Sequence, residues 1–164
     1  MKIKKYDWKK NQRTPLGKIK TGDIFFFENS PGEFYLGRIM AKNSLGHFAE
    51  IFTPPTNDPA IIELDKVKRI REPIILDSYS LFDKKSEGNW KIIANQEDYT
   101  TPTDEPIRFA YGLGPTRTQI DISGNKEKIS EKEARSLPAY SPMGDLDIKE
   151  YLKIKHSREF CWAK

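Results

Sequence analysis

Few residues of this sequence have the type and spacing for chemistry. Nucleophilic catalysis needs a serine or cysteine with a base beside it, and the side chains to consider are His47, His156 and Cys161. The two histidines lie far apart, and no G-x-S-x-G turn is present to raise a serine next to either. His47 falls in a run with strand alternation, where a structural role is expected. His156 follows a helical stretch whose C-terminal dipole favours a cation. Cys161, beside Trp162, is expected as a packed or frayed thiol. Being single, it excludes an intrachain disulfide framework and a cysteine-based zinc site. The H-E-x-x-H and EF-hand spacings are absent. Asp145-x-Asp147 offers two carboxylates but reads first as the start of a helix. Gly112-x-Gly114 runs into Pro115, without the third glycine of a dinucleotide loop or the lysine of a phosphate loop, and spells a turn. Acids are numerous enough for a glycosidase pair, yet no spacing singles one out. The sequence therefore assigns no catalytic residue, metal ligand or cofactor, and the expected class is a non-enzyme.

One segment does stand out. Residues 95–106 carry Glu97, Asp98, Asp104 and Glu105 with no basic residue among them, and Tyr99 as an exposed aromatic. Besides the plain reading as a solvated loop, this composition suits a partner-binding surface: carboxylates for a partner's Lys or Arg, and Tyr99 as anchor. Acidic groups of this kind speed encounter with cationic partners and take the place of nucleic-acid phosphates. Such a surface fits a stoichiometric inhibitor of a basic enzyme.

The charge of the whole chain points elsewhere until it is divided. Net charge is +4, but residues 1–20 hold eight basic side chains against Asp7, a net of +7, and the rest holds 20 basic and 23 acidic side chains, a net of −3. Residues 1–17 read as a basic N-terminal arm and residues 18–164 as a single domain. Trp8 is expected to pin the arm to the body. A basic arm with sheet aromatics such as Phe34, Tyr35 and Phe48 is the alternative reading, a small nucleic-acid-binding module. The −3 body speaks against it.

The elements that must position these residues read as β first and α last. Residues 23–28, 34–42 and 47–53 predict three strands, joined by turns at Asn29-Ser30-Pro31-Gly32 and Asn43-Ser44-Leu45-Gly46, an antiparallel meander. Residues 61–64, 67–70, 73–82, 90–94, 107–111 and 118–122 predict further strands. Ser130-x-x-Glu133 is a capping box, and Asp147-x-x-Glu150 opens a second helix. The expected fold class is α+β: a curled antiparallel β-sheet, part-way to a barrel, with one or two short C-terminal helices. With 164 residues and 12% aromatics the chain can bury a core unaided. No apolar run approaches the roughly 20 residues of a membrane span. The first twenty residues lack the apolar stretch of a signal peptide. A cytoplasmic protein, monomeric or weakly dimeric through an exposed strand edge, is expected.

Two groups of motifs carry a resemblance. Lys20-Thr21-Gly22-Asp23-Ile24-Phe25 followed by Phe34-Tyr35-Leu36-Gly37-Arg38-Ile39-Met40 resembles the opening of the bacterial immunity protein 26 family, a G-D-I-F strand and a second strand containing G-R-[VI]. Glu72-Pro73-Ile74-Ile75-Leu76-Asp77-Ser78 and Gly88-Asn89-Trp90-Lys91-Ile92-Ile93 resemble its middle, with a G-x-W motif. The likeness spans residues 18–95 and, more loosely, 105–150. It implies a non-catalytic protein that binds and neutralises the toxin domain of a cognate polymorphic toxin, such as a nuclease. The shared motifs read as fold determinants, so the resemblance hands over no contact residue.

Overall fold

Ile24-Phe25-Phe26-Phe27 is apolar at every position, so a strand built from it must be covered on both faces. The computed structural model places it so. It describes residues 1–7, 13–70 and 72–159, with 154–159 by backbone only. Trp8 and Cys161 lie outside the described residues, as does the side chain of His156. The strands are β1 (Ile3–Lys5), β2 (Asp23–Ser30), β3 (Glu33–Lys42), β4 (His47–Thr53), β5 (Lys68–Arg69), β6 (Ile74–Leu76), β7 (Trp90–Gln96), β8 (Arg108–Tyr111), β9 (Thr118–Asp121) and β10 (Lys126–Lys128). Two helices follow, α1 (Glu131–Ala134) and α2 (Asp145–Glu159).

The main sheet has the order β1-β7-β2-β3-β4-β5, with β6 also beside β4, and its pairs are antiparallel. A smaller antiparallel sheet has the order β10-β9-β8. The fold is thus the expected α+β arrangement around a curled sheet, and neither sheet closes into a barrel. The meander β2-β3-β4 turns at Pro31-Gly32, where Gly32 takes φ +78°, the left-handed backbone a type II turn requires.

One face of the main sheet carries Phe25, Phe27, Tyr35, Ile39 and Trp90 and is covered by Leu81, Phe82 and, from α2, Ile148 and Leu152. The other face holds two apolar clusters. Ile24, Phe26, Leu36 and Phe52 pack under Ile62, Leu64 and Val67. Met40, Phe48 and Ile75 pack under Phe109 and Ile120 of the small sheet.

Three local predictions need correction. Residues 61–64 form no strand; Ile62 and Leu64 pack on the sheet from irregular chain, after residues 54–59 fold back so that Phe34 and Thr56 exchange backbone hydrogen bonds of 2.8 and 2.7 Å. The strand predicted over 73–82 ends at Leu76, because Asp77 takes hydrogen bonds from the Ser80 N–H (3.2 Å) and hydroxyl (2.8 Å) and turns the chain into a π-helical turn, Tyr79–Asp83. Residues 3–5 of the basic arm are the edge strand β1, in register Ile3↔Gln96 and Lys5↔Ala94. The capping box is found as predicted, with the Glu133 N–H donating to Ser130 Oγ at 3.2 Å.

Candidate functional site

The acidic loop leaves the end of β7 and is fastened at several points. The Thr101 hydroxyl donates to the Met40 carbonyl at 2.5 Å. Because β1 lies beside β7, Lys2 reaches the loop: its Nζ pairs with Glu97 at 2.6 Å and its N–H donates to Asp98 at 3.0 Å. The Met1 ammonium stands 3.4 Å from Asp98. These bonds hold the carboxyls of Glu97 and Asp98 below the usual carboxylate range. Glu105 pairs with Arg69, and Asp104 is exposed. A stretch with no base in sequence thus meets its cations in space, which weakens the field it projects.

Tyr99 is not the exposed anchor its composition suggests. It is half-buried, with the Arg38 guanidinium 4.0 Å from its ring centroid, a cation–π contact. Burial pushes its hydroxyl up to about 12.

Beneath the loop lies an ion network between the two apolar clusters of the second face. Glu50, only 2% exposed, takes hydrogen bonds from Arg38 Nε (2.7 Å) and Nη2 on one oxygen and from Arg69 Nε (2.6 Å) on the other. Arg69 continues to Glu105, and Arg38 to Gln96. Alternation in the sequence carries the signal for it: Glu50 stands in phase with Phe48 and Phe52, and Arg38 with Leu36 and Met40, directly opposite in register. This network is structural, because its charged atoms are spent on one another.

A second acidic feature surrounds the start of α2. Asp77, Glu87, Asp145 and Asp147 line a cleft of about 520 Å³ together with Leu146, which is 74% exposed. Asp147 accepts the Gly144 N–H at 3.0 Å and Glu87 the Asp145 N–H at 3.0 Å, which satisfies donors left over at the helix start. Asp145 is buried, taking the Trp90 indole N–H at 2.7 Å and the Lys149 ammonium at 2.9 Å. Among the described residues no lysine or arginine lines the cleft, so the carboxylates there outnumber Lys149. The sequence marks Asp145-x-Asp147 as a helix start. It gives no sign of Asp77 and Glu87, which the fold brings in from the π-helical turn and the β7 approach.

His47, among the described candidates, is structural. It is 2% exposed, with Nδ1 2.9 Å from Ser78 Oγ. Burial, with Lys42 nearby, lowers its pKa from 6.5 to about 4. The unfolded chain therefore takes up a proton that the folded chain refuses. Stability contributed by the neutral ring is complete above pH 6.5 and is lost as pH falls toward 4, by up to about 3 kcal/mol. Urea denaturation at about pH 7 and about pH 4.5 should show a loss in the wild type that is smaller in His47→Gln; equal losses would remove His47 as the cause.

The aromatics offered for base stacking are occupied as well. Tyr35 and Phe48 are buried and Phe34 is half-buried against Phe26, so the sheet presents no free aromatic face at these positions. No group of three or more metal-ligating side chains comes together among the described residues, and no helix among them is long and apolar enough to cross a membrane. No protein-family model, curated protein or solved structure matches the chain.

Proposed function

We propose that the chain is an immunity-type protein, which binds the toxic domain of one cognate bacterial toxin in the cytoplasm and blocks it as a tight 1:1 complex. The observation that carries this reading is the cleft at the start of α2, an exposed leucine ringed by carboxylates. An apolar anchor with an anionic rim is the pattern of a binding hot spot for a basic protein, and toxins that act on nucleic acid are basic where they meet phosphate. The resemblance of residues 18–95 to the immunity protein 26 family agrees with it. Glu97, Asp98 and Asp104 would then form an outlying rim, their charge already partly offset by Lys2, while Tyr99 and Glu105 hold the loop in place. Interfaces of this kind bury about 1,600 Å².

The test is a growth assay with the C-terminal domain encoded by the neighbouring upstream reading frame, expressed with and without this protein. That domain should kill, and the wild-type chain should rescue. Leu146→Asp combined with Glu87→Lys should weaken the purified complex at least about tenfold, whereas Glu97→Lys with Asp98→Lys should mainly slow association. A harmless neighbour, or rescue that fails despite good expression, would remove the reading. An unchanged affinity in the first double variant would remove the cleft.

A further inference from the structure

The end of the small sheet carries a second surface, of opposite charge, that the toxin reading does not use. A cleft of about 530 Å³ opens between the β3–β4 turn and the β9–β10 turn. Its floor is apolar, from Phe48, Ile120 and Tyr140, and Lys42 and Lys126 stand at its sides. One wall is Asn43, whose Oδ1 accepts the N–H groups of Leu45 and Gly46, both at 2.8 Å. Its Nδ2 is buried and has no partner among the described residues. Asp121, on the opposite turn, takes hydrogen bonds from the N–H groups of Ser123 and Asn125 and from the Asn125 amide, and its single charge is outnumbered by Lys42, Lys126 and Lys128.

The adjoining strand is an open edge. β10 pairs with β9 and ends the order of its sheet. The Asp121 N–H donates to the Asn125 carbonyl and the Ile129 N–H to the Arg117 carbonyl, at 3.0 and 3.1 Å. In an antiparallel ladder these bonds alternate, so Glu127 bonds back to β9 while Lys126 and Lys128 turn their N–H and C=O groups outward. Lys126 stands opposite Ile120, so the lysines of β10 lie on the cleft side of the small sheet. A second copy pairing here would set lysine against lysine, which guards the edge against self-association.

We infer that this edge and cleft receive an extended acidic segment of a partner protein, which adds to β10 as a fourth strand. Its carboxylates would lie opposite Lys126 and Lys128 on the cleft side, within reach of Lys42, while its alternate side chains point to the other face of the small sheet. Backbone pairing supplies affinity, and the alternate side chains supply selectivity.

The test is titration of the full-length protein with a fluorescein-labelled peptide of sequence EVDFDVE, next to its charge-inverted counterpart KVKFKVK. The acidic peptide should bind saturably below about 1 mM and lose affinity at about 0.5 M salt, while the basic one should not bind. Lys42→Glu with Lys126→Glu, both at exposed positions, should weaken binding about tenfold or more. Amide shifts in wild-type protein should centre on Lys126 and Lys128. No saturable binding, shifts centred elsewhere, or concentration-dependent dimerisation through β10 in place of peptide binding would overturn the inference. None of these outcomes bears on the growth assay, so the two readings fail separately.

Discussion

Truncating Trp90 to alanine should destabilise the protein by about 4 kcal/mol, the upper range for loss of a buried aromatic and a large part of a small domain's stability. Trp90 is 1% exposed and is the centre of the covered face. Its ring stacks on Phe27 at 4.1 Å and 10°, lies 5.6 Å from Phe25, and meets Phe82 edge-on at 5.9 Å. Removing it leaves three aromatic rings facing a void that they are too large to fill by small shifts. The indole also donates to Asp145 at 2.7 Å, which ties β7 to the first turn of α2. Trp90→Phe separates the two contributions: it keeps most of the apolar area but leaves a buried carboxylate oxygen without that donor, and should cost about 1–2 kcal/mol. Urea denaturation followed by far-UV circular dichroism measures both. A loss below about 1 kcal/mol for the alanine variant would mean that the stack is not where this core is held together.

Glu50→Gln should cost about 3 kcal/mol, the lower end of the range for removing one member of a buried ion group. The amide keeps the shape of the side chain but sets its NH2 group against one of two guanidinium groups, and it leaves Arg38 without a counter-charge and Arg69 with Glu105 alone. Arg38 and Arg69 retain 16% and 22% of their side-chain surface, so water softens the loss but does not abolish it. The triple change Arg38→Met, Glu50→Leu, Arg69→Met should recover most of it, because desolvation of the charges disappears along with their attraction. Thermal melts of the single and triple variants decide the matter. If the triple variant melts as low as the single one, the network contributes more than charge balance.

Much of the framework is legible in sequence, because it rests on local rules. The meander β2-β3-β4 follows from alternation and from Pro31-Gly32, and α1 from the Ser130–Glu133 box. The strand at Gly88-x-Trp90 also falls where expected. What escapes is whatever depends on distant segments meeting. Lys2 neutralises Glu97 only because β1 lies along β7, and nothing in residues 95–106 reports that. Asp77 and Glu87 join Asp145 only after the chain makes a π-helical turn, which side-chain bonding of Ser80 to Asp77 favours over continued strand. The three-residue strands β1 and β10 are rich in lysine and carry no apolar alternation, so pairing partners define them rather than their own residues. The cover on Tyr99 escapes for a similar reason: the arginine that lies over it belongs to another strand.

The Arg38–Glu50 pair also settles how β3 and β4 are aligned. On most two-faced sheets the alternation of apolar and polar residues fixes that alignment, since a slip by one residue turns the apolar set toward water. Here both faces are apolar, Phe25 and Phe27 on one and Phe26 on the other, so hydrophobicity alone tolerates either alignment. Sliding β4 by one residue would carry Glu50 through the sheet to the side of Trp90 and strand Arg38 beside Leu36, Ala49 and Ile51. The charges thus supply the positional information that an all-apolar sheet cannot encode, and a protein free to vary its surface for new partners would still be bound to keep this one pair.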